Sequence, residues 1–307
     1  MTAHHLVAPD LRDGLSLLPH VDQLTVDDLP QLRATLFAEL PDEGVQNGVK
    51  LRHVVVPRPD GCTVPALLYT PEPNLVQNRA ILNLHGGGFV AGVPQLDDRL
   101  MRRMASELGA TVLAPAYRLA PEHRFPAALD DAYAALCWLA DHTGAGPRDL
   151  IVRGASAGGG LGLTLALVAR DRGNDGIGHL HLLYPMLDDR TTAHDHNGKA
   201  VWTAEASRFA WNSLLAGISA EATDLHPVPG RTDAVSRLPP VFMAVGSIDL
   251  FAGEVLALAN KLIDAGNSLE LHVYPGAYHG FDVMLESVSG SALERDAFEA
   301  MFQSFQT

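Results

Sequence analysis

Cysteine is nearly missing from this chain. Cys62 and Cys137 are the two among 307 residues, too few for a disulfide framework and without the spacing of a metal motif. Long apolar runs are missing too, since no stretch reaches the roughly 18 apolar residues that a membrane span needs. Positive charge is scarce. With 22 Lys and Arg against 36 Asp and Glu, the formal net charge is -14, which disfavours nucleic acid as a partner because phosphates demand clustered Lys and Arg. Met1-Thr2-Ala3-His4-His5 shows no basic segment followed by an apolar run, so a secretory signal is not expected and the cytoplasm is the expected compartment. Internal repeats, low-complexity tracts and long linkers are not visible either.

What is present suits a globular protein: 47% hydrophobic residues and a mean hydropathy of +0.07. The length fits one catalytic domain with a small appendage, because α/β folds of this size often keep a single core.

The chain pivots on Gly154-Ala155-Ser156-Ala157-Gly158. Leu150-Ile151-Val152-Arg153 before it reads as a buried parallel strand, and Leu161 to Arg170 after it as a helix rich in Leu and Ala. Strand, G-x-S-x-G and helix together make a nucleophile elbow, in which glycines let strand and helix approach around a serine held at a sharp turn. Ser156 is the expected nucleophile.

Around this pivot the elements alternate. Residues 1–45 read as a peripheral helical cap segment, with a helix start at Val26-Asp27-Asp28-Leu29-Pro30 and Leu32, Leu36 and Leu40 at helical spacing. Gly44 to Gly48 breaks the pattern, and Val54-Val55-Val56 and Val64 to Tyr69 then form a hairpin across Arg58-Pro59-Asp60-Gly61. Strands at Ile81-Leu84, Thr111-Ala114, His179-Tyr184, Val241-Val245 and Leu269-Tyr274 alternate with helices at Asp97-Leu108, Pro126-Ala140, Glu254-Ala265 and Ser291-Phe305. Strands separated by helices of about a dozen residues imply parallel βαβ units. The expected fold is α/β: an eight-stranded, mostly parallel sheet with an antiparallel start. Residues 188–224 break the alternation, with Trp202, Phe209, Trp211, Leu214 and Leu215 on an expected helix, and read as a cap insertion dividing the core into 46–187 and 225–307. The three aromatics read first as cap packing, with some of them candidates for lining an acyl pocket.

A serine hydroxyl attacks only when a base takes its proton and donors stabilise the resulting oxyanion. His85-Gly86-Gly87-Gly88-Phe89 directly follows a strand and supplies such donors; the expected oxyanion hole is the backbone N–H groups of Gly87, Gly88 and Ala157. A phosphate-binding loop is the rival reading, but G-x-G-x-x-G spacing and a Walker lysine are missing. In this architecture acid and base follow the serine in that order. Asp249, just past the Val241-Val245 strand, is the expected acid, and His279, past the last strand, the expected base; His272 and Asp282 are weaker rivals.

His85-Gly86-Gly87-Gly88-Phe89, Tyr117-Arg118-Leu119-Ala120-Pro121-Glu122 with Phe125-Pro126-Ala127-Ala128, Gly154-Ala155-Ser156-Ala157-Gly158-Gly159, Tyr184-Pro185 and His279-Gly280-Phe281 run in one order from about residue 81 to 281. Together they resemble the hormone-sensitive-lipase-like family of bacterial esterases. The resemblance implies an α/β-hydrolase fold with a helical cap, no cofactor, and hydrolysis of carboxylic esters with short to medium acyl chains. It maps the nucleophile, acid and base onto Ser156, Asp249 and His279, and the oxyanion donors onto Gly87, Gly88 and Ala157. It also implies a bracing role for Arg118 and Glu122. Two positions depart from the family's pattern: Ala155 stands where Asp is usual, and Gly253 replaces the second Asp of the D-P-L-R-D-E stretch around the acid.

The expected partner is a small-molecule ester. A related amidase or lactonase would use the same triad, and a binding protein on the same fold would typically lack the base. A metal site at His4-His5, His179-x-His181 or His194-Asp195-His196 lacks an HExxH motif and a third ligand at useful spacing. A homodimer through the edge of the last strand is compatible with the architecture.

Overall fold

Strand β4 (Ala80–Leu84) is buried along its whole length, as a strand must be when helices cover both faces of a parallel sheet. The computed structural model describes residues 5–18, 21, 23–73, 78–218 and 224–306. Around β4 lie β1 (Gly44–Gln46), β2 (Val49–Pro57), β3 (Thr63–Pro71), β5 (Thr111–Pro115), β6 (Leu150–Ala155), β7 (His179–Leu183), β8 (Val241–Gly246) and β9 (Leu269–Tyr274). The sheet runs β1-β2-β3-β5-β4-β6-β7-β8-β9. Pairing is antiparallel from β1 to β5 and parallel from β5 to β9.

The sheet therefore has nine strands rather than the eight expected. Gly44 to Gly48 does not break the pattern; it holds β1 and a two-residue turn. Asn47 and Gly48 both take positive φ (51° and 73°), which matches the twist of an antiparallel hairpin and places Gln46 opposite Val49.

Helices α2 (Asp98–Leu108) and α7 (Val288–Ser304) cover one face, over Ile81, Val112 and Ile151, with Met101, Met104 and Met301 packed between. Helices α3 (Ala127–Thr143), α4 (Ala157–Asp171) and α6 (Ala252–Asp264) cover the other. Each fully buried Leu, Ile or Met in these layers contributes roughly 1.5–3 kcal/mol of apolar transfer.

The N-terminal helix α1 spans Leu29–Thr35, shorter than its leucine spacing suggests. A capping box between Thr25 and Asp28 starts the turn that leads into it, and Leu40 lies beyond its end. In the insertion, α5 (Ala204–Leu215) is capped by Thr203, whose hydroxyl accepts from the Ala206 amide at 3.2 Å. Trp202 thus precedes the helix instead of lying on it. A bridge between Val21 and Trp202 ties the N-terminal segment to the insertion. Residues 219–223 of the expected insertion, and His4, lie outside the described residues. Among the described residues no helix is long and apolar enough to cross a membrane.

Candidate active site

The serine turn is built by crowding. An added Cβ at Gly154 would collide with the carbonyl of Gly158, and one at Gly158 with the carbonyl of Leu84, so only glycine fits at either position. Between them Ser156 takes φ 55° and ψ -121°, a region rarely open to a residue with a side chain. The turn is held on both sides. The Ser156 amide donates to Leu183 O (2.9 Å), while its carbonyl accepts from Met186 N (3.0 Å) and Gly160 N (3.1 Å).

Three loops at the C-terminal ends of β6, β8 and β9 bring the expected residues together. Ser156 Oγ lies 2.9 Å from His279 Nε2, and His279 Nδ1 lies 2.9 Å from Asp249 Oδ2. A carboxylate oxygen only accepts, so Asp249 selects the Nδ1–H tautomer and leaves Nε2 as acceptor for the serine hydroxyl. The other oxygen of Asp249 accepts from the Phe251 amide at 2.9 Å, which fixes the carboxylate plane. All three residues are buried. Phe251 and Tyr184 pack edge-on to the imidazole, with ring centroids 5.1 and 4.9 Å away, and restrict its rotation.

The glycine loop after β4 approaches the same point. Gly87 and Gly88 have φ of 119° and 63°, and a Cβ on Gly86 would sit 3.5 Å from the Ser156 Cβ. Ala157 is the first residue of α4, where amides have no intrahelical acceptor. Among the described residues, the amides of Gly87, Gly88 and Ala157 donate to no group. His85 anchors the loop. Its ring stacks on Tyr117 (4.1 Å), Nδ1–H donates to Gly86 O (2.8 Å), and the Tyr117 hydroxyl donates to His85 O (2.7 Å). Burial lowers the pKa of this imidazole and favours the neutral form that the stack needs.

The rival residues lie elsewhere. His272 sits on β9 with its Nε2 2.7 Å from Glu270, away from the serine. Asp282 accepts from the Tyr184 hydroxyl at 2.6 Å. Of the histidines considered as ligands, His181 is buried against Phe242 and Ser304. No group of three or more His, Cys, Asp or Glu is placed to hold a metal among the described residues.

Arg118 forks onto Asp131 (2.9 Å), a buried carboxylate that also receives Arg58 (2.7 Å). Glu122 pairs with Arg33 of α1 at 2.7 Å, which holds its pKa down to about 2. At the second departure from the family pattern, Gly253 faces open space. Its neighbour Glu254 is buried, accepts from Asp188 N (2.6 Å) and Thr191 Oγ1 (2.9 Å), and is raised well above the ordinary carboxyl range by burial.

The serine faces a cavity of about 300 Å³, lined from the cap side by Leu32, Leu36, Val201 and Trp202. Of the cap aromatics, Trp202 lines it, whereas Trp211 is buried against Phe89. The core side contributes a polar set, Asp97, Arg153, Tyr184 and Asp282, of which the sequence singled out Asp282 as a rival acid and Tyr184 within a motif but gave Asp97 and Arg153 no place in the site. A signal existed, since Asn83 and Arg153 are the polar side chains of the otherwise apolar strands β4 and β6.

A family profile described as alpha/beta hydrolase fold matches residues 81–283. The chain is 30% identical over 286 residues to esterase LipI of Mycobacterium tuberculosis, covering 90% of this chain and 88% of that protein. It is 34% identical over 232 residues to an ethyl acetate hydrolase of Pseudomonas putida, covering 72% of each. Among solved structures, one described as a bacterial heroin esterase superimposes with a TM-score of 0.89 at 30% identity, covering 100% of both chains. By motif order, fold and relatives alike, the chain belongs to the α/β-hydrolase family, in its hormone-sensitive-lipase-like branch.

Proposed function

We propose that this protein is a serine carboxylesterase acting on small-molecule esters with short to medium acyl chains. The observation that carries the reading is the unbroken hydrogen-bond chain Ser156–His279–Asp249, opening onto a cavity of about 300 Å³. In this reading His279 Nε2 takes the proton of Ser156 as Oγ attacks the ester carbonyl, and Asp249 stabilises the imidazolium that forms. The amides of Gly87, Gly88 and Ala157 receive the oxyanion. His279 then protonates the departing alcohol, and the same base activates the water that cleaves the acyl-enzyme. Names of relatives, an esterase and an ethyl acetate hydrolase, support the same substrate class.

The test is hydrolysis of p-nitrophenyl esters from acetate to laurate by the wild type and by Ser156→Ala. Turnover that peaks at short to medium chains and disappears in the variant is expected. A folded wild type inert on the whole series would overturn the reading. A cytoplasmic, homodimeric form pairing through β9 belongs to the same proposal, and a monomeric mass by light scattering would remove the dimer from it.

A further inference from the structure

Charged groups inside the sheet need a reason, because a buried charge without a partner is costly. Arg153 lies on β6, three residues before Ser156, and is 4% exposed. Its Nη1 donates to Asn83 Oδ1 at 2.7 Å, and the Asn83 amide donates to Asp97 Oδ2 at 3.0 Å. The other N–H groups of the guanidinium meet no acceptor among the described residues, although a guanidinium carries five donors. No carboxylate closes an ion pair with it among the described residues. Asp97 is occupied by Asn83, and Asp282 accepts from the Tyr184 hydroxyl at 2.6 Å. Burial raises the pKa of Asp282, against the opposing pull of Tyr184 and Arg153, so its carboxyl is drawn toward the neutral form.

This guanidinium borders both the cavity that holds Ser156 and a second chamber of about 200 Å³ between α2 and α7. On a strand, residues two apart share a face, so Ala155 stands on Arg153's side, nearer the serine. Ala155 lines the same cavity as Arg153 and Ser156, and its methyl group brings no polar atom that could compete for the guanidinium.

Building on the esterase reading, we infer that Arg153 is a specificity residue that receives a carboxylate carried by the substrate, a few bonds from the scissile ester. The spare, forked donors of arginine match a carboxylate bidentately, which an alkyl chain cannot do. The structure assigns the polar end of the cavity to a half-ester of a dicarboxylic acid, or to an ester whose alcohol carries the acid. The preferred substrate is therefore an anion.

The test compares matched pairs on the full-length protein. Monomethyl succinate against methyl butanoate places the carboxylate in the acyl half; an acetylated hydroxypropanoic acid against propyl acetate places it in the alcohol half. The expected result is a charged-to-neutral kcat/KM quotient that falls by about ten-fold or more in Arg153→Met, the loss of a charge-assisted hydrogen bond, in the arm that carries the recognition. Arg153→Lys recovers part of it. Quotients equal in wild type and Arg153→Met in both arms would overturn the inference.

Calorimetric titration of the wild type with succinate and with butanoate gives a second readout, independent of turnover and of whether the variants fold. Succinate is expected to bind about ten-fold tighter; equal or weaker binding would overturn the inference. Failure to hydrolyse any of the four esters, charged or neutral, would sink the esterase reading, whereas hydrolysis without any charge preference sinks only the role of Arg153.

Discussion

Trp202 of the cap lies directly over Gly88 of the glycine loop: a Cβ added to Gly88 would stand 2.5 Å from the far edge of the indole. Cap and loop are therefore shaped against each other, and Gly88 also has φ 63°, which side chains resist. Gly88→Ala is expected to lower kcat/KM by roughly 100- to 1000-fold, the usual cost of a displaced oxyanion donor. Shrinking the indole by Trp202→Phe in the same chain should restore only part, because the backbone strain stays. Steady-state kinetics on p-nitrophenyl butanoate of the single and double variants checks this.

Asp249→Asn keeps the shape of the acid but lets an amide meet the imidazole, which favours the wrong tautomer. The expected loss in kcat is about 10⁴-fold, with little change in the melting temperature. A loss under about ten-fold would mean that another group orients His279.

Arg33 fastens α1 to the core through Val90 O (2.9 Å), Ala120 O (3.1 Å) and both oxygens of Glu122. Because Leu32 of α1 and Leu36 just past its end line the cavity, Arg33→Ala should raise KM several-fold while changing kcat less. Limited proteolysis should cut the N-terminal segment faster in the variant. An unchanged KM would mean that α1 stays docked on its apolar contacts alone.

His181 makes stability sensitive to acid. The hydroxyl of Ser304 already donates to Ala300 O at 2.8 Å, so His181 Nε2–H is the donor in their contact and Nδ1 is left without a partner among the described residues. A proton added at Nδ1 would find no acceptor, and burial lowers the pKa from 6.5 to about 3. The folded state therefore refuses a proton that the unfolded chain accepts. Its contribution is complete above pH 6.5 and is lost as the pH falls toward 3. Between pH 7 and 5, His181→Leu should lose on the order of 2 kcal/mol less stability than the wild type. Urea melts at the two pH values measure the difference.

Much of this was legible in the sequence, for physical reasons that name their own limits. The central parallel strands β4, β5, β6 and β8 were plain because burial on both faces removes polar alternation, and Gly154 and Gly158 were readable because no other residue fits there. Strand β1 was not legible as a strand: its three residues are all exposed, so no apolar alternation marks it, although Asn47-Gly48 carried the hairpin signal. Aromatic spacing placed Trp202 on the cap helix; its bridge to Val21, a partner 181 positions away by the numbering, and its place over Gly88 are tertiary contacts that no local pattern carries. Arg153, Asn83 and Asp97 come from three separate elements, and no local pattern joins them.

The separation of the site residues along the chain also has a consequence for timing. His279 follows Ser156 by 123 residues, and β9, which delivers it, is the last strand to be made. During synthesis the serine turn can form long before its base exists, and pairing across such a distance is slow to nucleate. In the mechanism proposed here, a partly made chain would thus carry the nucleophile in an idle form, and hydrolysis would begin only when the sheet closes on its final strand.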